Sequence, residues 1–162
     1  MEIINPFEVK GNWYKGNLHT HTKNSDGQFT PEEICEIYSK ANYDFLAITD
    51  HNRISDEIRH TRLLVIRGVE LQPEKFHILG IGIKNEFYTE GNTAQYVIDT
   101  INKNASLVIL AHPYWCGNTS SELLQLNGYI GIEIYNNVCQ YLIGKGYSNV
   151  HLDEILQSGK RT

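Results

Sequence analysis

His19-Thr20-His21, followed five residues later by Asp26, is the segment whose residue types most directly imply chemistry. If residues 17–22 form an extended strand, side chains two apart share a face. Two imidazoles carried about 6.6 Å apart along that face can bind one metal ion. Asp26 lies in Ser25-Asp26-Gly27, a turn sequence from which a carboxylate can bend back toward the strand end. The alternative is a strand that merely carries two surface histidines.

Other residues of the same chemical kind recur where apolar runs begin or end. His51 follows Phe45-Leu46-Ala47-Ile48 through Thr49-Asp50, and Gly68-Val69-Glu70 closes the run that starts at Leu63. His77 opens Ile78-Leu79-Gly80-Ile81, and Ala111-His112-Pro113 closes Leu107-Val108-Ile109-Leu110. Continuous apolar runs of this length read as strands buried on both faces. In a β/α barrel the C-terminal strand ends share one mouth, where catalytic groups gather.

The elements that must position these residues are legible from local signals. Thr30-Pro31-Glu32-Glu33 predicts a helix start, with Thr30 as N-cap, Pro31 at the first turn and Glu33 closing a capping box. Helical spacing continues through Ile34, Ile37, Tyr38 and Ala41. Strands are expected over 45–49, 63–69, 107–111 and 129–134, and helices over 91–104, 119–127, 136–144 and 152–157. Gly159 would cap the last helix, with Lys160 and Arg161 beyond it. The polar connection 52–61 leaves room for a brief helix at most. Pro73 marks a reversal at 72–75 that brings Glu70 and His77 to the same end of neighbouring antiparallel strands. Residues 1–16 read as a lead-in whose Trp13 and Tyr14 pack against the barrel floor or a helix.

With 162 residues the chain fits one domain, 1–162, with a real core. A formal net charge of −5 gives no reason to expect broad nucleic-acid binding. Three widely spaced cysteines, Cys35, Cys116 and Cys139, suggest reduced thiols in a cytoplasmic protein rather than a disulfide scaffold or a thiolate zinc site. The N-terminus lacks the pattern of a signal peptide, and no run reaches membrane-spanning length.

The motifs His19-Thr20-His21, Ser25-Asp26-Gly27, Thr49-Asp50-His51-Asn52, Gly68-Val69-Glu70, His77-Ile78-Leu79-Gly80 and Ala111-His112-Pro113, six in order, resemble the PHP (polymerase and histidinol phosphatase) domain superfamily. The segments 13–22 and 43–52 are similar to its CehA/McbA-like branch, and the resemblance covers essentially the whole chain. It implies an α/β fold, a distorted (β/α)7 TIM-like barrel, holding up to three divalent metal ions, zinc, manganese or iron. It implies that His19 and His21 hold the first ion, that Glu70 bridges it to the second, that His77 and His112 complete the second, and that Asp26 and His51 hold the third. PHP domains usually end in a strand carrying Asp-x-His. This sequence stops at Thr162, where the resemblance puts the start of that strand, so the expected barrel is truncated before its last strand and only the second position has its ligands complete.

The implied function is a metal-dependent phosphoesterase acting on a small-molecule phosphoester. Clustered divalent ions lower the pKa of bound water and supply hydroxide near neutral pH. In that reading the catalytic residues are Glu70, His112 and Arg53, the last as a phosphate-binding guanidinium. Arg53 reads equally well as a solvated loop arginine. Asp50 would orient a ligand. Tyr114 or Asn136 could line the pocket. Glu133, between Ile132 and Ile134, points either into the mouth or to solvent. His60 and His151 read as surface residues, and Cys116 has no partner base that would make it a nucleophile. Two other readings remain open: an ester, amide or carbamate hydrolase on the same site, and a truncated non-catalytic metal-binding domain. Nucleic acid is a possible substrate by family analogy alone, no membrane is expected, and the oligomeric state is not legible.

Overall fold

Six strands line up as one sheet in the order of the sequence. In a computed structural model that describes residues 8–89 and 93–160, the strands are β1 (Gly16–Asn17), β2 (Phe45–Ile48), β3 (Leu64–Leu71), β4 (Ile78–Ile81), β5 (Leu107–Leu110) and β6 (Gly131–Ile132), in the spatial order β1-β2-β3-β4-β5-β6. Pairing is parallel for β1–β2, β2–β3 and β5–β6, and antiparallel for β3–β4 and β4–β5. Only β4 therefore runs against the rest. The C-terminal ends of the other five strands and the N-terminal end of β4 share one rim.

The helices are α1 (Pro31–Lys40), α2 (Ala94–Asn104), α3 (Pro113–Cys116), α4 (Ser120–Gln125), α5 (Asn137–Ile143) and α6 (Asn149–Gln157). The capping box expected at Thr30 is present: Glu33 donates its N–H to the Thr30 hydroxyl, and the Glu33 carboxylate accepts from the Thr30 N–H. A second box joins Thr119 and Glu122 at the start of α4.

Alternation along the strands separates two apolar faces. Leu46 and Ile48 pack outward on Ile34 and Cys35 of α1. Ile78, Val108 and Leu110 pack outward on Val97, Ile98 and Ile101 of α2. Ala47, Leu79, Ile81 and Ala111 meet on the inner face, with Leu18 and Ile109 against them. The sheet curls about that inner face into a half-barrel, and the residues just beyond its edge strands come within hydrogen-bond distance: His19 Nδ1 lies 3.1 Å from Glu133 Oε1.

Several expectations are corrected. The first strand does not extend over 17–22: β1 ends at Asn17, and His19-Thr20-His21 lies in a loop. Thr20 and Thr49 hold that loop, because Thr20 N–H donates to Thr49 Oγ1 (3.0 Å) and Thr49 N–H donates to Thr20 O (2.8 Å). The strand expected over 129–134 is only Gly131–Ile132. Trp13 and Tyr14 are largely exposed. The four-residue α3 was not foreseen, and α6 begins three residues earlier than expected, whereas the connection 52–61, with no helix, agrees with the expectation of a brief helix at most. Among the described residues there are six strands and no helix between β3 and β4, so the sevenfold β/α repeat is not seen. Residues 1–7 of the lead-in, 91–92 of the expected helix and Arg161 lie outside the described residues. No helix among the described residues is long and apolar enough to cross a membrane.

Gly68 leaves no room for a side chain in the sheet next to the rim. A Cβ there would lie 2.8 Å from Ile48 O, 2.8 Å from Thr49 Cγ2 and 3.1 Å from Gly80 O, two of them backbone atoms of the flanking strands. Gly68→Ala should therefore destabilise the fold by about 1–3 kcal/mol. A urea midpoint unchanged from wild type would show that the strands can part without cost.

Candidate metal centre

The strand directions explain why ligand-type residues follow some strands and precede one. His51, Glu70 and His112 lie at or just beyond the C-terminal ends of β2, β3 and β5, and Glu133 just beyond β6. His77 immediately precedes the reversed β4, so it reaches the same rim. The register pairs Leu71 with Ile78 and leaves residues 72–77 as the reversal that Pro73 announced.

Glu70 is fully buried at the centre. Its Oε2 lies 3.2 Å from His19 Nε2, 2.9 Å from His21 Nε2 and 3.2 Å from His51 Nδ1. Its Oε1 lies 2.8 Å from His77 Nδ1 and 3.2 Å from His112 Nε2. His19 Nε2 and His21 Nε2 are themselves 3.1 Å apart. Asp26 caps the open side, with Oδ1 at 2.6 Å from His21 Nδ1 and Oδ2 at 3.5 Å from His51 Nε2. The resulting cavity has a volume of about 540 Å3.

This donor set fits divalent cations. A carboxylate offers about four lone-pair directions, fewer than the five ring nitrogens around Glu70. Ligand atoms bound at about 2.0–2.1 Å in a tetrahedron stand roughly 3.3 Å apart. Four overlapping sets have their ligand atoms within 4.8 Å of one another: His19/Glu70/His112, His51/Glu70/His77, His21/Asp26/His51 and His77/His112/Cys116. Glu70 belongs to two of these sets. Mixed imidazole and carboxylate donors suit zinc, manganese and iron alike. The grouping differs from the expected partition: His19 falls with Glu70 and His112, His77 falls both with His51 and Glu70 and with His112, and His21 falls with Asp26 and His51 while its Nε2 also reaches Glu70.

Backbone geometry sets these side chains. His51 pairs with Glu70 across a parallel bridge: Glu70 N–H donates to Asp50 O (3.1 Å) and Asn52 N–H donates to Glu70 O (2.8 Å). Asn52 and His112 have positive φ, 51° and 26°, uncommon for residues other than glycine and frequent at functional sites. The buried Asp50 carboxylate accepts from Thr22 N–H, Thr22 Oγ1 and Ser25 Oγ at 2.6–2.7 Å. It fixes the loop that carries His21 and Asp26 instead of touching a histidine ring.

Glu133 is the residue that sequence reasoning left between two orientations. It is mostly buried and takes three partners: His19 Nδ1 at 3.1 Å, the His112 N–H at 2.9 Å and the Asn136 side-chain amide at 3.1 Å. With Nδ1 of His19 donating to Glu133, Nε2 is turned to Glu70, the arrangement in which an outer carboxylate orients a metal-binding imidazole. Gln72 was also not singled out; its amide lies 2.9 Å from His51 Nδ1. Only its position two residues after Glu70 could have flagged it. Trp115 was missed too: its ring stands edge-on to His77 and His112.

Other candidates separate from the cluster. Arg53 pairs with Asp56 at 3.1 Å and does not line the cavity. Asn136 lines it, and Tyr114 does not. Cys116 Sγ sits 3.3 Å from His112 Nδ1, and burial pushes its thiol up to about 12, which keeps it protonated. His60 is no bare surface residue: its Nδ1 accepts from Arg62 and Leu63 N–H, and its Nε2 reaches Glu36. His151 is partly buried as well, with Nε2 donating to Asn118 O at 2.8 Å.

Electrostatics in the centre are set by Glu70. Burial opposes its charge, but hydrogen bonds from His112, His19, His21 and His77 outweigh this and hold the carboxyl far below its ordinary range. Burial likewise opposes a charged His19, but the Glu133 and Glu70 carboxylates outweigh it and lift the ring to about 9. His21 is raised in the same way by Glu70 and Asp26. His51 moves down, because burial and the neighbouring His21 and His77 outweigh Glu70 and Asp26.

Residues 17–135 match the family model described as the PHP domain. The uncharacterized protein MJ1587 of Methanocaldococcus jannaschii is 28% identical over 141 residues, covering 75% of this chain and 81% of that protein. The DNA polymerase/3'-5' exonuclease PolX of Bacillus subtilis is 30% identical over 105 residues, which cover 60% of this chain and 18% of the polymerase's own length.

A histidine whose folded pKa lies above its unfolded value adds stability that is complete below the unfolded pKa and is lost as pH rises through the folded one. For His19 that window runs from 6.5 to about 9. Chelator-treated protein should therefore melt at progressively lower temperature from pH 6.5 to 9. Glu133→Gln should flatten that slope, since Glu133 is the strongest of the groups that raise His19. Identical slopes in calorimetric scans of the two proteins would refute the assignment of Glu133 as partner to His19.

Proposed function

The chain belongs to the PHP domain family, and on that premise we propose that it is a metal-dependent phosphoesterase whose ions are held by His19, His21, Asp26, His51, Glu70, His77 and His112. One observation carries this reading: a single buried carboxylate, Glu70, lies within 2.8–3.2 Å of nitrogens from five histidines. Bound divalent ions supply a water of lowered pKa and positive charge beside the phosphoryl oxygens. The chain's own residues set the geometry for that chemistry. Glu70 belongs to two ligand sets and would help to hold more than one ion. Glu133 and Asp26 fix the ring orientations of His19 and His21. His112 is held by its own backbone N–H on Glu133 and by Pro113 behind it. Arg53, paired outside the cavity, is left out of this reading. The likeness to PolX, a DNA polymerase and 3'-5' exonuclease, supports a phosphorus ester as the bond class.

Protein purified without chelators should carry about two or three divalent ions per chain by elemental mass spectrometry. Glu70→Gln should empty most of them and lower phosphoester hydrolysis by about a hundredfold or more. His112→Ala should lose both metal and activity to a smaller degree. If His112→Ala kept the metal content and the hydrolysis rate of wild type, the ligand assignment would be wrong.

A further inference from the structure

The cavity over Glu70 has two chemically distinct sides. Its floor is the histidine and carboxylate cluster. Its wall is apolar: Phe29 from the loop before α1, Trp115 from α3, and Val138 and Leu142 from α5. Val138 and Leu142 are four residues apart and so share one helix face. They are 63% and 65% exposed, and Trp115 is 38% exposed. Large apolar side chains grouped on a surface mark a binding surface more often than scattered ones do. Trp115 is also pinned, since its ring stands edge-on to His77 at 5.4 Å and to His112 at 5.2 Å between centroids. This places a fixed aromatic surface directly beside the ligand cluster. Among the described residues that line the cavity, none is lysine or arginine.

Resting on the hydrolase reading above, we propose that the wall formed by Phe29, Trp115, Val138 and Leu142 seats an uncharged aromatic group. The substrate is then a small phosphate monoester of an aromatic or similarly bulky apolar alcohol. A substrate with several phosphates or a polynucleotide would need cationic side chains along its other charges. Here those charges would face apolar carbon and the exposed carboxylate of Asp26. The reaction is hydrolysis: water oxygen bonds to phosphorus, and the bond from phosphorus to the alcohol oxygen breaks with its electron pair on that oxygen. One proton of the water goes to the alcohol and the other remains with inorganic phosphate.

Benzyl phosphate and ethyl phosphate test this, because their alcohols are close in basicity and differ in the ring. With the protein as purified, kcat/KM should favour benzyl phosphate by about tenfold or more, as burial of part of a ring allows. The double variant Val138→Ala/Leu142→Ala should bring that ratio close to unity. Both side chains are exposed, and an unchanged melting temperature would verify that the variant is folded. Benzylphosphonate and ethylphosphonate, which are not hydrolysed, give a readout free of turnover: calorimetry should show tighter binding of the benzyl compound, lost in the double variant. Equal kcat/KM for the two esters, or equal affinity for the two phosphonates, overturns the proposal. Faster cleavage of a 5'-phosphorylated oligonucleotide than of benzyl phosphate also overturns it. Benzylphosphonate binding that depends on Val138 and Leu142, with neither ester hydrolysed, upholds the aromatic seat and overturns the phosphoesterase reading.

Discussion

One buried carboxylate governs the arrangement of this protein. Removing a charge from water costs several kcal/mol unless partners replace the lost hydration. Glu70 is fully buried, and its partners are imidazoles contributed by five positions spread over the sequence from His19 to His112. It sits in β3, the longest strand, between the flanking strands β2 and β4. The backbone of residue 70 is tied on one side to Asp50 O and Asn52 N–H, which sets His51. The Asp50 side chain then holds Thr22 and Ser25, which sets the loop of His21 and Asp26. One strand position thus organises two further ligand-bearing segments through a few hydrogen bonds.

The reversal of β4 is the second constraint. A βαβ crossover after β3 would have carried the chain away from the rim and back before the next strand began. The short reversal at 72–77 instead leaves His77 at the rim, 2.8 Å from Glu70. Closure at the far edge is handled differently. β1 and β6 do not pair, yet His19 and Glu133 meet beyond their ends, and Glu133 also takes the N–H of His112. The same contact therefore draws the two edges of the curled sheet together and orients a ligand-type ring.

Legibility followed the range of the determining interaction. The capping box at Thr30, the apolar strands and the reversal at Pro73 are local, and their residues could be read directly from the sequence. His19, His21, Asp26, His51, Glu70, His77 and His112 could be proposed because each sits in a short motif at the border of an apolar run, and the fold brings all seven to one cavity. The residues that escaped depend on long-range contacts. Glu133 follows a strand of two residues, too short for alternation to tell inward from outward. Arg53 had the right chemistry but found Asp56 three residues away, a contact that sequence spacing makes easy and motif reasoning ignores. The His-x-His segment reads as a strand from its alternating residue pattern. Its partners are the hydroxyl and backbone of Thr49 instead of a continuous ladder, and nothing in the residue pattern separates the two.

The features that would make the rim chemically useful are the ones that cost the fold most. His112 adopts φ of 26°, like-charged rings crowd His51, and large apolar side chains of α3 and α5 remain in water. None of these helps the polypeptide fold by itself. Compensation comes from elsewhere: the outward faces of the strands bury Leu46, Ile48, Ile78, Val108 and Leu110 against α1 and α2, away from the ligand cluster. The stability of the scaffold is therefore largely separate from the chemistry of the rim. A cation bound among these rings in their neutral form would add its binding free energy to folding, since such a set of ligands assembles only in the folded chain.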